Sequence, residues 1–243
     1  MLVYENVALL GTSHIAKSSI KEIKKAIVEE DPDLVAVELD QRRLYALMHQ
    51  GKHKASIADI RHIGLTGYIF TQIGGWVQKK LGRSVGVKPG SDMLTAIKEA
   101  HKRKIPVALI DQDIEITLQK FTKRLTRKEK WQFVKDVVRG FLFKEREIKR
   151  LGVTHLDLSK VPEREIIIKL TAELKKKYPN VYNVLIKERN EIMAKKVASL
   201  MKNYVKVLVV VGAGHEEEMV RLIKHYKNKV ERVKGVDYEI NSV

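Results

Sequence analysis

The run Val205-Lys-Val-Leu-Val-Val-Val-Gly-Ala-Gly-His215 constrains the fold more than any other stretch of this chain. Branched apolar residues stop abruptly in two glycines and a histidine. The run is too short and too β-branched for a buried helix, so it reads as a strand covered on both faces. From Glu216 onward Met219, Leu222, Ile223 and Tyr226 recur at helical spacing. His215 therefore stands where a parallel strand hands over to a helix, the edge at which open α/β sheets take their ligands. The same arrangement opens the chain: Val7 to Leu10, then Gly11-Thr12-Ser13-His14, then a second helical pattern. Two strand–Gly-x-x-His–helix units can bring two imidazoles to one sheet edge.

Two more apolar runs fit such a sheet. Leu34 to Val37 runs into Glu38-Leu39-Asp40, and Pro106 to Ile110 ends in Asp111-Gln112-Asp113. The expected fold is α/β, a mainly parallel sheet of βα units, with a large basic helical insertion between the third and fourth core strands. One unit over 1–243 is expected, its core drawn from 1–50, 88–118 and 204–243. A flexible apolar segment covers 52–87 and the helical insertion covers 119–203, broken by a loop over Leu151 to Pro162. Within 52–87, Ile63 to Val77 carries Gly64, Gly67, Gly74 and Gly75 and reads as a helical hairpin, a lid or a membrane-touching segment. Left bare, it would also suit a homodimer contact. Ser18 or Ser19 is expected to cap the first helix, and Leu44, Leu47 and Met48 to face inward from the second. Val230 to Ile240 reads as an edge strand or extended tail.

An acid at the end of a core strand serves either a site or a helix cap. Asp40 suits the cap, whereas Glu38 shares its face with Ala36 and Leu34. Asp111 likewise lies near the histidines or caps the next helix. Later, Leu185 and Ile192 mark an inward helical face on which Glu188 and Arg189 would lie; charges there are paired, functional or on an exposed shoulder. His49, His53 and His62 have no spacing that demands a metal.

Composition narrows the chemistry. The 243 residues include no cysteine, so disulfides, thiolate metal sites and a cysteine nucleophile are excluded, and any metal must be held by histidine and carboxylate. The 47 Lys+Arg against 30 Asp+Glu give +17, which favours an anionic partner. A Lys- and Glu-rich, Cys-free chain also matches a heat-loving organism's solvated surface. No nucleic-acid module is recognisable, so nucleic acid is not the expected partner. Neither a His-Glu-x-x-His pair nor a phosphate-binding P-loop is present. The N-terminus has no secretory pattern, and no stretch reaches the roughly 18 consecutive apolar residues of a membrane span. A cytoplasmic location is the expectation.

Gly11-Thr-Ser-His14, Val37-Glu38-Leu39-Asp40, Pro89-Gly90-x-Asp92-Met93, Asp111-Gln112-Asp113, Glu188-Arg189-Asn190 and Val211-Gly-Ala-Gly-His215 occur in this order. Together they resemble the TraB family, which includes the pheromone-shutdown proteins and is related to the Tiki, GumN and erythromycin-esterase-like groups. The resemblance covers residues 1 to about 225. It implies a metal-dependent, peptidase-like site in which His14 and His215 are ligands and Glu38 is a ligand or general base. Glu188, Arg189 and Asn190 would act catalytically beside them, with Gly11, Ser13, Asp111, Gly212 and Gly214 on the substrate. The metal would be divalent: manganese, cobalt or zinc. Archaeal-type relatives look like longer proteins with membrane helices after this domain, which would attach a longer version of this chain to a membrane.

Three functions follow. The first is a metal-dependent hydrolase acting on peptides. The second is a non-catalytic regulatory protein that binds a peptide or anionic ligand, with its basic helices at a membrane surface. The third is haem or nucleotide binding at the glycine loops.

Overall fold

The computed structural model describes residues 1–12, 17–49, 68, 90–142 and 164–240. Ser13, His14, His53, His62, the 52–87 segment with its Ile63–Val77 stretch (residue 68 apart), and the Leu151–Pro162 loop lie outside the described residues.

The order along the chain is β1 (Leu2–Tyr4), β2 (Val7–Thr12), α1 (Lys17–Glu30), β3 (Leu34–Val37), α2 (Gln41–Met48), α3 (Ser91–Lys102) and β4 (Val107–Leu109). Then follow α4 (Ile114–Arg124), α5 (Arg127–Leu142), α6 (Arg164–Lys177), α7 (Pro179–Tyr182), a π-helical turn (Asn183–Lys187), α8 (Glu188–Leu200), β5 (Val207–Gly212) and α9 (Glu216–Ile240). The sheet runs β1-β2-β5-β3-β4. β2, β5, β3 and β4 are mutually parallel, while β1 is an antiparallel edge. The sheet is thus mixed, mostly parallel. The last strand in sequence is the central one, with Thr12 opposite Gly212 and Val37 opposite Val210.

Every residue of β5 is buried, which is why its sequence does not alternate. Val207, Val209 and Val211 pack with Met193, Val197, Met219 and Ile223 of α8 and α9. Leu208 and Val210 face the other way, against Ile23 and Ile27 of α1 and Met93 and Ile97 of α3. The sheet therefore lies between two helical layers. A smaller cluster of Phe121, Leu125, Tyr178, Val181 and Val184 joins α4 to α7.

Several local expectations change. Val230 to Ile240 continues α9 as helix; Tyr226, Val230 and Val233 extend the helical spacing, and adding residues to a formed helix is easier than starting a strand. The N-terminal edge strand β1 was not anticipated; its three residues carry too little pattern. Helix α1 begins at Lys17, so Ser18 and Ser19 lie inside it and Ser19 is buried. Met48 is exposed, while Leu44 and Leu47 do pack on the core. Asp113 rather than Asp111 caps α4, accepting from the Glu115 N–H at 2.7 Å.

Candidate functional site

Strand period decides where Glu38 goes. Leu34 and Ala36 belong to the core under α8 and α9, and Glu38 is next on that face. Its backbone N–H donates to Val210 O at 3.0 Å, which extends the β3–β5 ladder by one step. The carboxylate is buried (4 % exposed), and Oε2 accepts from the Gly212 N–H at 2.6 Å.

His215 caps the turn after β5. Its N–H donates to Gly212 O at 2.9 Å, and its carbonyl accepts from Met219 N at 3.0 Å in the first turn of α9. The ring is buried. Nδ1 lies 2.5 Å from Asn190 Oδ1, and Nε2 lies 3.3 Å from Glu38 Oε1. Asn190 is fully buried at 0 % exposure. With the Nδ1 proton given to Asn190, Nε2 turns a lone pair or a second proton toward Glu38. A lone pair against a carboxylate at this distance is unfavourable unless a proton or cation lies between them.

Arg189 closes the site from α8. Its guanidinium contacts Glu38 Oε1 and makes a two-pronged contact with Asp111, Nη2 to Oδ2 at 2.6 Å and Nε to Oδ1 at 3.1 Å. Nη1 donates to Leu185 O at 3.0 Å. Arg43 reaches the same carboxylate from α2 and also pairs with Asp40. Burial would raise the Asp111 carboxyl, and Glu38 pushes the same way, but Arg189 and Arg43 more than reverse this and hold it below its usual range. Burial likewise opposes the charge on Arg189, and Glu38 and Asp111 outweigh it, raising that guanidinium further. Asp40 also caps α2, accepting from Arg42 N and Arg43 N.

The structure thus brings together Glu38, Asp111, Arg189, Asn190, His215 and Gly212. Glu188 belongs elsewhere: it pairs with Lys120 at 2.8 Å and with Arg124, across α4. Burial would raise its carboxyl, but the two cations hold it low. Consecutive residues of a helix point about 100° apart, which divides Glu188 from Arg189, and a π-helical turn precedes them. That turn interrupts the 3.6-residue period, so Leu185 and Ile192 do not share one inward face; Asn190, Met193, Ala194, Val197 and Ala198 are the buried positions of α8. Arg43 was missed from sequence; its only local signal is its place three residues after the capping Asp40. Thr12 was missed too. Its hydroxyl donates to Asp92 Oδ2 at 2.6 Å, both residues being buried at the carboxyl end of β2.

Gly11 sits in close approach: a Cβ there would come 3.0 Å from Glu216 Oε2 and 3.1 Å from Ala213 Cα, so these neighbours would have to give by a few tenths of an ångström. The Ala213 N–H donates to Thr12 O at 2.8 Å, binding the two glycine turns together. Beside them lies a cavity of about 460 Å³ lined by Leu10, Gly11, Tyr182, Ala213, Gly214 and Glu216 among others. Of the glycines expected to meet substrate, Gly11 and Gly214 line it and Gly212 faces Glu38; the residues lining it do not include Glu38 or His215.

Among the described residues no three His, Cys, Asp or Glu side chains converge as a metal-ligand set. Two do fit as a pair. His215 Nε2 and Glu38 Oε1 are 3.3 Å apart, close to the roughly 3.3 Å between two donors bonded at ~2.0–2.1 Å to one tetrahedral cation. Asn190 on the far ring nitrogen is the kind of partner that orients a ligating imidazole.

The TraB/PrgY/gumN family model matches residues 4–232. An uncharacterized protein of Methanocaldococcus jannaschii is 37% identical over 225 residues, covering 92% of this chain and 54% of that protein. TraB domain-containing proteins of Bos taurus and Homo sapiens are 26% and 24% identical, each over 76% of this chain and 49% and 50% of their own lengths. The chain therefore spans about half the length of the curated relatives it matches. By this match over nearly its whole length, the chain belongs to the TraB/PrgY/gumN family.

Proposed function

We propose that this chain is a metal-dependent hydrolase acting on peptides, with His215 and Glu38 holding the cation. The observation that carries the reading is the His215–Glu38 pair, buried, 3.3 Å apart and oriented through Asn190. His14 would be the third donor. It lies outside the described residues, but Thr12 is paired with Gly212, so the chain leaves β2 beside the turn that carries His215.

The chemistry a divalent cation supplies when bound is a more acidic water and a polarised carbonyl. The chain's own groups do the rest. Glu38 is the carboxylate ligand, held in place by the Arg189 guanidinium and by the Gly212 N–H. Asn190 holds the His215 ring in one orientation. Asp111 fixes the Arg189 guanidinium, with Arg43 on the same carboxylate, and the Arg189 charge would help to stabilise an oxyanion. The cavity along Gly11 and Gly214 is the space for a peptide. Glu188, committed to Lys120 and Arg124, supports α8 from the other side.

Metal content decides the matter first. Protein purified without chelator should carry about one divalent ion per chain, and His215→Ala and Glu38→Gln should each lose it. Absence of metal in the parent, with none taken up on titration of manganese, cobalt or zinc, would overturn the proposal.

The regulatory, non-catalytic reading has one observation in its favour. The Arg189 fork already engages both Glu38 and Asp111, which neutralises the buried carboxylates without a cation. Ligand binding retained in His215→Ala, with no peptide turnover in the parent, would favour it.

A further inference from the structure

We propose that the outer face of α5, formed by Arg127, Lys128, Trp131 and Lys135, docks on an anionic lipid membrane surface. Spaced at i, i+1, i+4 and i+8, these residues share one side of the helix. All four are exposed, Trp131 at 78 %. An indole so bare in water is unusual and marks a surface that meets something.

The acids of the same helix do not compensate the charge. Glu129 is buried and accepts from Thr126 and Asn180. Asp136 is held by Lys177 and by the Tyr178 hydroxyl. Those contacts bring the end of α6, at Lys177 and Tyr178, alongside, and α4 ends nearby in exposed Lys123. The exposed charges described on this face of α5 are thus all cationic and surround one aromatic ring.

That composition suits an anionic membrane. Tryptophan settles at the headgroup boundary, and each lysine or arginine near an anionic leaflet is worth about 1 kcal/mol, or roughly fivefold in binding. Single-stranded nucleic acid favours several stacking rings along a groove; among the described side chains of α5, Trp131 is the only aromatic one. Contact would be peripheral, since no helix among the described residues is long and apolar enough to cross a membrane.

Co-sedimentation and indole emission with phosphatidylcholine vesicles, with and without phosphatidylserine, test this on the full chain. The parent should bind only the phosphatidylserine vesicles, with a blue-shifted emission that Trp131→Ala abolishes. The triple variant Arg127→Gln, Lys128→Gln, Lys135→Gln should lose roughly a hundredfold in binding. A matched triple on α1 (Lys21→Gln, Lys24→Gln, Lys25→Gln) should lose far less, and thermal unfolding should confirm that all variants fold. Equal loss in the two triples would overturn the proposal, because net charge rather than this face would then be responsible. So would failure of the parent to bind phosphatidylserine vesicles. Binding of single-stranded nucleic acid through the same residues, with vesicles unbound, would replace the lipid by a different partner.

Discussion

Arg189 bridges two buried carboxylates, with Arg43 sharing Asp111 and the Gly212 N–H sharing Glu38. Glu38 and Asp111 are 4 % and 2 % exposed, and their repulsion is bridged by one planar cation. Removing one member of such a network strands charge in the interior, a loss of about 3–5 kcal/mol. Arg189→Ala should therefore lower unfolding stability in urea by that order. Arg189→Lys should recover little, because a point charge on a flexible stem cannot reproduce a fork that spans two acids. Asp111 also sets a pH limit. Its carboxyl is held below the usual range, so the stability it contributes is present above the unfolded value of about 3.9 and is lost as pH falls through the lower folded value. In Asp111→Asn the acid limb of a stability–pH profile should be correspondingly shallower.

At the level of elements, caps and turns place these side chains. Asp40 ends the β3 turn, caps α2 and pairs with Arg43, which in turn reaches Asp111. Asp40→Ala should cost about 1–2 kcal/mol from the cap alone, read from the urea midpoint. Gly90 enters α3 at φ +78°, and a Cβ would meet Leu47 Cδ2 at 2.8 Å. Gly90→Ala thus combines backbone strain with a clash and should destabilise by roughly 1–3 kcal/mol. The π-helical turn is the least legible element. A helical wheel drawn through Leu185 and Ile192 puts Glu188 and Arg189 on one inward face. As consecutive residues of α8 they point about 100° apart and take separate partners instead, Lys120 and Arg124 for one, Glu38 and Asp111 for the other.

Across the whole molecule, β5 is the keystone. It pairs with β2 on one side and β3 on the other and is covered on both faces. Its amides, Val209 and Val210 foremost, should be the slowest to exchange with deuterium, and those of the β1 edge far faster. Much of this was legible locally. The apolar runs of β2, β3 and β5, the inner faces of α1 and α3, the Asp40 cap and the side of the sheet taken by Glu38 all follow from periods of 2 and 3.6 and from helix-end chemistry. Such signals act over a few residues, so the sequence by itself determined them. Only the tertiary structure decided that β5 inserts between β2 and β3, that Arg189 meets an acid 151 positions earlier, and that Glu188 turns away. These depend on strand order and helix phase, which set distances between residues far apart in sequence, and no local period encodes them.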